Sequence, residues 1–274
     1  MPDASILRRT LVGLAAVALL ALPIQAHADT TAETIKTKGK LVVGIQADNK
    51  PWGYTNTTGQ TEGFDADIAN LFGKELGVTV EFVPLANAAR IPALQTGRVD
   101  ILFSTLAMLP ERAKALQFSK PYAANELMIL GPKATKITGY DDLNGMTVGL
   151  PKGTAQEPDL VKNSPKVELR RFDDDATTIQ ALISGQVQAI SAGQFYLPVI
   201  ESQKPGLYEK KFTQFLIYNG AGTRLGEKEW NTSVNAFIDK IKANGELEKL
   251  YQKWMKMPVP SFPASLEGIP YTVQ

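Results

Sequence analysis

"IPALQTGRVDIL", residues 91–102, reads as a helix closed by Gly97 and followed by an apolar strand. The pattern returns at residues 179–190 as "IQALISGQVQAI", with Ile, Ala, Leu, Gly and Val in the same places. Helix–Gly–strand turns share chemistry, so the identities alone say little, but the topology is informative: each stretch is a strand emerging from the same kind of unit. In parallel α/β sheets small molecules gather at the carboxyl ends of strands. Two such lobes facing each other would point both strand ends into one cleft. Counting on from Val99 and Val187, Thr105 of the first copy corresponds to Gly193 of the second. One lobe therefore offers a hydroxyl where the other offers bare backbone.

The alternation extends outward from both copies. "KLVVGIQ" (40–46) is a strand ending in a loop, "ADNKPWGYTNTTGQTEG". "FDADIANLFGKELG" is a helix with Ile68, Leu71, Phe72 and Leu76 at helical spacing and Gly77 as its stop, and "VTVEFVPL" is the next strand. In the second half "MTVGLPKGTAQEPDL" reads as strand, loop and helix, "VELRRF" as a strand and "ATTIQALISG" as a helix. The expected class is α/β with a mostly parallel layer. "SKPYAANELMILG" (119–131) crosses from the first lobe to the second, and a return crossing falls near "FLIYNGAG" (215–222). "WNTSVNAFIDKIKANGELEKLYQKWMK" then gives two helices broken at Gly245, and the Pro-rich tail runs extended over the surface.

The chain has 274 residues. Arg8 and Arg9, the apolar run Leu11–Leu22 and "AHA" at 26–28 have the order of a secretory leader cut after Ala28. The apolar run is too short for a bilayer, which needs about 20 residues. A retained N-terminal anchor is the alternative. Cleavage leaves 27 basic and 27 acidic residues and no net charge, which argues against nucleic acid or an anionic membrane as the main partner. The single His is His27, inside the leader, and there is no Cys. The mature chain therefore lacks the residues for histidine acid–base catalysis, Ser-His triads, thiol nucleophiles and ordinary zinc sites. No cofactor and no metal are expected.

The stretches "LVVGIQADNKPWG", "TEGFDADIANLFGKELGVTVEFVP", "RIPALQTGRVDIL", "PERAKALQFSKPY", "TVGLPKGTAQ" and "VNAFIDKIKANGELEKLYQKW", in this order from about Leu41 to Met255, resemble the periplasmic polar-amino-acid-binding proteins of ABC importers, the family 3 extracellular solute-binding proteins. The resemblance implies a two-lobed periplasmic binding protein fold of type II, with two hinge crossings and the ligand cleft between the lobes. Its expected limits are a leader at 1–28, one lobe at 29–122 plus 220–274, and a second at 123–219. It also implies a periplasmic monomer that is not an enzyme, closes on a small molecule and delivers it to a membrane permease.

The resemblance assigns residues as well. Arg112 matches the arginine that holds the ligand's α-carboxylate, a role suited to a planar guanidinium that donates two parallel hydrogen bonds. The alternative for Arg112 is a surface salt bridge with Glu111 or Asp100. Thr105 matches a hydroxyl or amide that touches the same ligand end. From the second lobe come Thr154 and the N–H groups around Ala155 and Gln156, at a helix start able to bind an anion; Thr154 could equally be a plain helix cap. Trp52 matches an aromatic that packs on the ligand's side chain, or is core. Asp173–Asp175 read as acids favoured at a helix start.

Four positions depart from the family. Gly193 stands where amino-acid binders place an Asp for the α-ammonium, and Ala107 where many carry Ser or Thr. Gln46 replaces an acid found in cation binders, and Asn87 replaces an aromatic or Leu. An ammonium buried without a carboxylate is costly, so either another acid, Asp48 being one candidate, takes over or the ligand has no ammonium. Arg90 either points inward or is a solvated helix residue, the second being the preferred reading. The expected ligand is a small carboxylate, an amino acid or a deaminated relative, neutral or acidic at its far end. The rivals are a cyclohexadienyl dehydratase-like enzyme, with Glu157 as an acid near the site, and a receptor module for chemotaxis or signalling.

Overall fold

The computed structural model describes residues 31–273; the leader reading at 1–28 lies outside the described residues. The chain opens with α1 (Thr31–Lys38), where the sequence suggested only a polar start, followed by β1 (Lys40–Ile45). The stretch read as a loop folds into a small antiparallel sheet of β2 (Asp48–Asn49), β3 (Gly53–Thr55) and β4 (Thr61–Glu62). Strands of two or three residues leave no apolar alternation to read. Helix α2 (Phe64–Leu76) ends as its spacing predicted: Gly77 takes a left-handed conformation and its N–H returns to the carbonyls of Gly73 and Lys74.

Next come β5 (Thr79–Pro84), α3 (Arg90–Gln95), β6 (Ile101–Leu102) and α4 (Pro110–Ala113). The strand read across "RVDILFS" is only two residues long. The crossing strand β7 (Gln117–Pro132) leads to β8 (Thr147–Pro151), α5 (Gln156–Asn163), β9 (Glu168–Phe172), α6 (Asp175–Ile183), β10 (Ala189–Gly193) and α7 (Tyr196–Gln203). The return strand β11 (Tyr208–Thr223) is followed by α8 (Lys228–Ala243) and α9 (Glu246–Leu250).

One eight-stranded sheet runs through the molecule in the order β5-β1-β6-β11-β7-β10-β8-β9. At one end β1 pairs parallel with β5 and β6; at the other β8 pairs parallel with β9 and β10. The long strands β7 and β11 lie antiparallel between these groups, from Tyr208 opposite Pro132 to Thr223 opposite Gln117. These two strands join two α/β lobes, each with a parallel core and helices on its faces.

The burial pattern explains why each lobe closes. On one face of β1, Leu41 and Val43 meet Ile68 and Phe72 of α2 and Phe237 of α8; on the other, Val42 packs with Leu94 of α3 and Leu116. In the second lobe Ile179 and Leu182 of α6 join Ile200 of α7, while Leu160 of α5 packs with Val148 of β8. The Pro-rich tail does not simply lie over the surface. Ile269 and Tyr271 are buried in the first lobe, and the Asn235 side chain donates to the carbonyl of Tyr271. Among the described residues no helix is long and apolar enough to cross a membrane.

Candidate functional site

The turn after β6 is built to aim two side chains. Thr105 adopts φ 53°, a left-handed conformation unfavourable for a β-branched residue. Asp65, at the start of α2 and fully buried, holds it there: Oδ2 accepts from the Thr105 N–H at 2.7 Å and from its hydroxyl at 3.2 Å, and Oδ1 accepts from the Tyr122 hydroxyl at 2.8 Å. Burial pushes the Asp65 carboxyl up to about 6 against those three donors. The chain then enters α4 through Pro110, a residue suited to a helix's first turn, and Arg112 in that turn borders the same chamber as Thr105. The Arg112 guanidinium donates to the carbonyl of Ala107 at 3.0 Å and, across the cleft, to that of Gly153 at 2.9 Å. Glu111 pairs instead with Lys114, and Asp100 accepts from the Val42 N–H.

From the second lobe the turn between β8 and α5 meets this guanidinium. Gly153 has φ 72°, and a β-carbon there would sit 2.9 Å from Cα of Ala88 in the first lobe. A glycine is therefore required both by its conformation and by the close approach of the lobes. The Thr154 hydroxyl donates to the carbonyl of Pro151 at 2.9 Å, and no side chain caps α5. The first N–H groups of α5, beside Ala155 and Gln156, thus point out of the helix without an intrahelical acceptor.

Between these turns lies a chamber of about 40 Å³. All the residues expected at the site border it: Gln46, Trp52, Asn87, Thr105 and Arg112 from one lobe, Thr154, Ala155 and Gly193 from the other. Trp52 combines the two readings given to it. It is 1% exposed and edge-on to Phe64 of its own lobe and Phe195 of the other, with ring centroids 5.7 Å apart in both cases. Glu157 does not border the chamber; it pairs with Arg171 on the surface of the second lobe.

Two expectations are corrected here. Arg90 is not a solvated helix residue: it is 2% exposed, borders the chamber, and donates to the carbonyls of Asn87 (3.0 Å) and Ser104 (2.5 Å). Burial first, and then the charge of Arg90, lower Arg112 to about 9; burial lowers Arg90 to about 10. Among the described residues neither guanidinium forms a salt bridge, and both bond carbonyl oxygens. The charges of Asp175, Asp65 and Asp48 act on Arg90, whereas among the described residues Arg112 has no acidic neighbour and only the like charge of Arg90 beside it; a guanidinium so placed attracts an anion.

The second correction concerns Asp175. Asp174 does cap α6, accepting from the Thr177 N–H at 2.7 Å, but Asp175 turns inward and is 2% exposed. Its Oδ2 accepts from Gln46 at 2.9 Å and its Oδ1 from Asn87 at 3.2 Å, both from the opposite lobe. Asp48 is spent on the same seam, its Oδ2 accepting from the Asp175 N–H at 2.7 Å, so α6 is capped across the cleft. Burial, and next the Asp48 charge, push the Asp175 carboxyl up to about 7 from 3.8.

A raised acid holds its proton more tightly folded than unfolded, so the stability it contributes is greatest near pH 4. That contribution falls as pH rises to about 7 and is level beyond. Asp175→Asn imitates the protonated form at every pH. The variant should lose a wild-type slope on the order of a few kcal/mol across that window. Melting curves from pH 4 to pH 8 check this, and parallel profiles for the two proteins would refute it.

Residues that the sequence reading passed over also line the chamber: Asn125 of β7, Phe195, and Tyr196, whose hydroxyl bonds Asp175. Of these only Asn125 carried a signal, as a polar residue within an apolar crossing strand.

Comparison with known proteins gives a consistent picture. Residues 41–257 match the family model described as bacterial extracellular solute-binding proteins, family 3. The chain is 29% identical over 252 residues to the L-cystine-binding protein TcyJ of Escherichia coli (strain K12), covering 90% of this chain and 95% of that one. The crystal structure of AncCDT-1, an ancestral amino acid-binding protein and precursor of cyclohexadienyl dehydratase, is 35% identical with a TM-score of 0.74, over 82% of this chain and 99% of that one. A solute receptor for L-cysteine from Neisseria gonorrhoeae is 30% identical with a TM-score of 0.78, over 83% and 94% of the two chains.

Proposed function

This chain belongs to the bacterial extracellular solute-binding proteins of family 3, and we propose that it is the extracytoplasmic binding subunit of an ABC importer for an amino acid or related small carboxylate. The observation that carries this reading is Arg112, a guanidinium without a salt bridge among the described residues that bonds the carbonyls of Ala107 and, across the cleft, Gly153, in a chamber it shares with the uncapped start of α5. The guest's carboxylate lies between Arg112 and Thr105 on one side and Thr154 with the first amides of α5 on the other. Because the two sides belong to different lobes, the contacts that bind the guest also favour the shut state, which is the differential interaction closure requires. Trp52 packs on the guest's body, and Gln46 and Asn87 face its far end.

On this reading the first 28 residues direct export, and the mature lobes are 29–122 with 220–274, and 123–219. The pairing of Asn219 with Ala123 supports putting both crossings at that level. The far end of the guest is neutral or acidic. Asp175 is the one carboxyl bordering the chamber among the described residues, and both its oxygens are engaged by Gln46 and Asn87. Similar proteins are named for cystine and cysteine and also for arginine, so this part of the reading rests on the chamber's lining and not on the relatives' names. A thermal-shift panel of amino acids, keto acids and aromatic acids tests the reading, since a ligand that binds only the folded state raises the melting point. At least one neutral or acidic member should raise it while arginine and lysine do not; stabilisation by arginine and lysine alone would overturn the assignment.

One observation favours a second reading. Asp175 is a buried acid with a raised pKa, the kind of group a dehydrating enzyme uses as general acid, and the ancestral relative is described as a precursor of such an enzyme. Incubation with prephenate and arogenate separates the two: aromatic product that disappears in Asp175→Asn supports catalysis, and no product leaves the binding reading.

A further inference from the structure

Among the residues bordering the chamber, Asn125 carries a buried polar atom without a partner. Asn125 lies on β7, one of the two strands shared by the lobes, is 5% exposed and borders the chamber. Its carboxamide oxygen Oδ1 is buried without a hydrogen-bond partner. Buried polar groups in folded proteins are almost always paired, and an unpaired one calls for a specific reason. Gly193, at the end of β10, leaves room for this side chain. A β-carbon at 193 would stand 2.9 Å from Nδ2 and 3.3 Å from Oδ1 of Asn125. The bare glycine thus lets the Asn125 carboxamide sit where it does, and its backbone conformation does not itself call for glycine.

Asn125 stands at the carboxylate end of the chamber. It lies opposite Ile217 in the sheet, and Leu127, two residues on, lies opposite Gly193. Leu127 and Ile217 pack in one cluster with Ala107 and Ala155. Those last two residues flank the clamp, Ala107 bonding Arg112 through its carbonyl and Ala155 standing at the start of α5.

We propose that Asn125 is the specificity-determining residue for the substituent next to the guest's carboxylate, and that it selects an uncharged polar group, a hydroxyl or a keto oxygen, over an ammonium. This rests on the reading that the clamp holds a carboxylate. A carboxamide presents an acceptor and two donors with no charge. A hydroxyl can donate to Oδ1, and a keto oxygen can accept from Nδ2. An ammonium needs more than that. It would be buried in a chamber with Arg90 and Arg112, while the Asp175 carboxylate is already bonded by Gln46 and Asn87. Asp175 stands at the Gln46 and Asn87 end of the chamber, so an ammonium beside the clamp would be a buried charge near like charges without an acid at its own end, which is costly. The bare Gly193 removes the other position from which an acid could reach it.

The test is calorimetric titration of the mature chain with matched trios of one carbon skeleton: pyruvate, lactate and alanine; α-ketoglutarate, α-hydroxyglutarate and glutamate; and leucine with its α-keto and α-hydroxy acids. In at least one trio the keto or hydroxy acid should bind about tenfold tighter than the amino acid. Asn125→Ala should remove about tenfold of that preference, and Asn125→Asp should turn it toward the amino acid. A merely structural role would weaken all members of a trio equally, so the ratio is the readout. If amino acids bind tighter in every trio, or if Asn125→Ala leaves the ratio unchanged, this assignment is wrong while the clamp stands. If another carboxylate binds and no trio member does, its own amino, hydroxy and keto forms make the deciding trio; if no carboxylate binds at all, the clamp itself is wrong.

Discussion

Replacing Arg112 by alanine should weaken binding of the small carboxylate by about 2–5 kcal/mol, from roughly 30-fold to several thousandfold. The size follows from pairing a desolvated carboxylate with a guanidinium: truncating one member of such a pair also leaves the other charge unpaired. The same substitution should cost the unliganded chain little. Arg112 bonds only carbonyls, those of Ala107 and Gly153, and burial beside Arg90 lowers its pKa to about 9. Its removal relieves a desolvated charge while losing two hydrogen bonds. Affinity should therefore collapse while the melting point of the free protein stays close to wild type. Arg112→Lys should fall between, because an ammonium keeps the charge but not the planar fork. Titration and melting of the three proteins check the split; a variant that binds normally, or that loses affinity only because it unfolds, would contradict it.

Asp65→Ala should do the reverse, with its first effect on stability. The carboxylate is fully buried and collects the Thr105 N–H, the Thr105 hydroxyl and the Tyr122 hydroxyl. Alanine strands those donors in the core, where each costs about 1–3 kcal/mol. A total of about 3–5 kcal/mol is expected, comparable to other broken buried networks. For a chain of this size that lowers the melting point by roughly 6–20 °C. Thr105 would also be released from its left-handed conformation, so the hydroxyl and Arg112 would lose their aim and affinity would fall at temperatures where the variant is still folded. Asp65→Asn keeps an acceptor for Thr105 and should lose less than half as much. Thermal melts decide this, and a wild-type melting point for Asp65→Ala would mean that the hub is dispensable.

Much of the fold was legible because its determinants are local. Helix α2 announces itself by apolar residues three and four apart and by the glycine that stops it, and β1 by its run of Val and Ile. The crossing strands were recognisable as long apolar segments between repeating units. The clamp was legible only through resemblance, since nothing in "TLAMLPER" by itself says that Thr105 faces inward. What escaped depends on contacts between distant segments. Arg90 looked solvated because α3 is short and its sequence has no opposite wall, whereas the wall is the carbonyl of Ser104. Asp174 and Asp175 are adjacent and chemically identical, yet one caps the helix outside and the other turns into the cleft. Asp174 is the extended residue before the helix and Asp175 its first helical residue, and the inward direction of Asp175 is fixed by Gln46, Asp48 and Asn87, more than 80 positions away. The polar Asn125 in an apolar strand was the one local clue to a missed chamber residue.

A negatively charged carboxylate held between the lobes is the central requirement of the site, and the most direct measurement compares an acid with its own methyl ester. The strongest stabiliser from the thermal panel and its ester would be titrated into the mature protein, with the primary amide, neutral and nearly the same size as the acid, separating loss of charge from the ester's added methyl group. Arg112 and the start of α5 require the acid to bind and the ester to be weaker by at least about a hundredfold. Equal affinities would show that the charge is not what the chamber recognises.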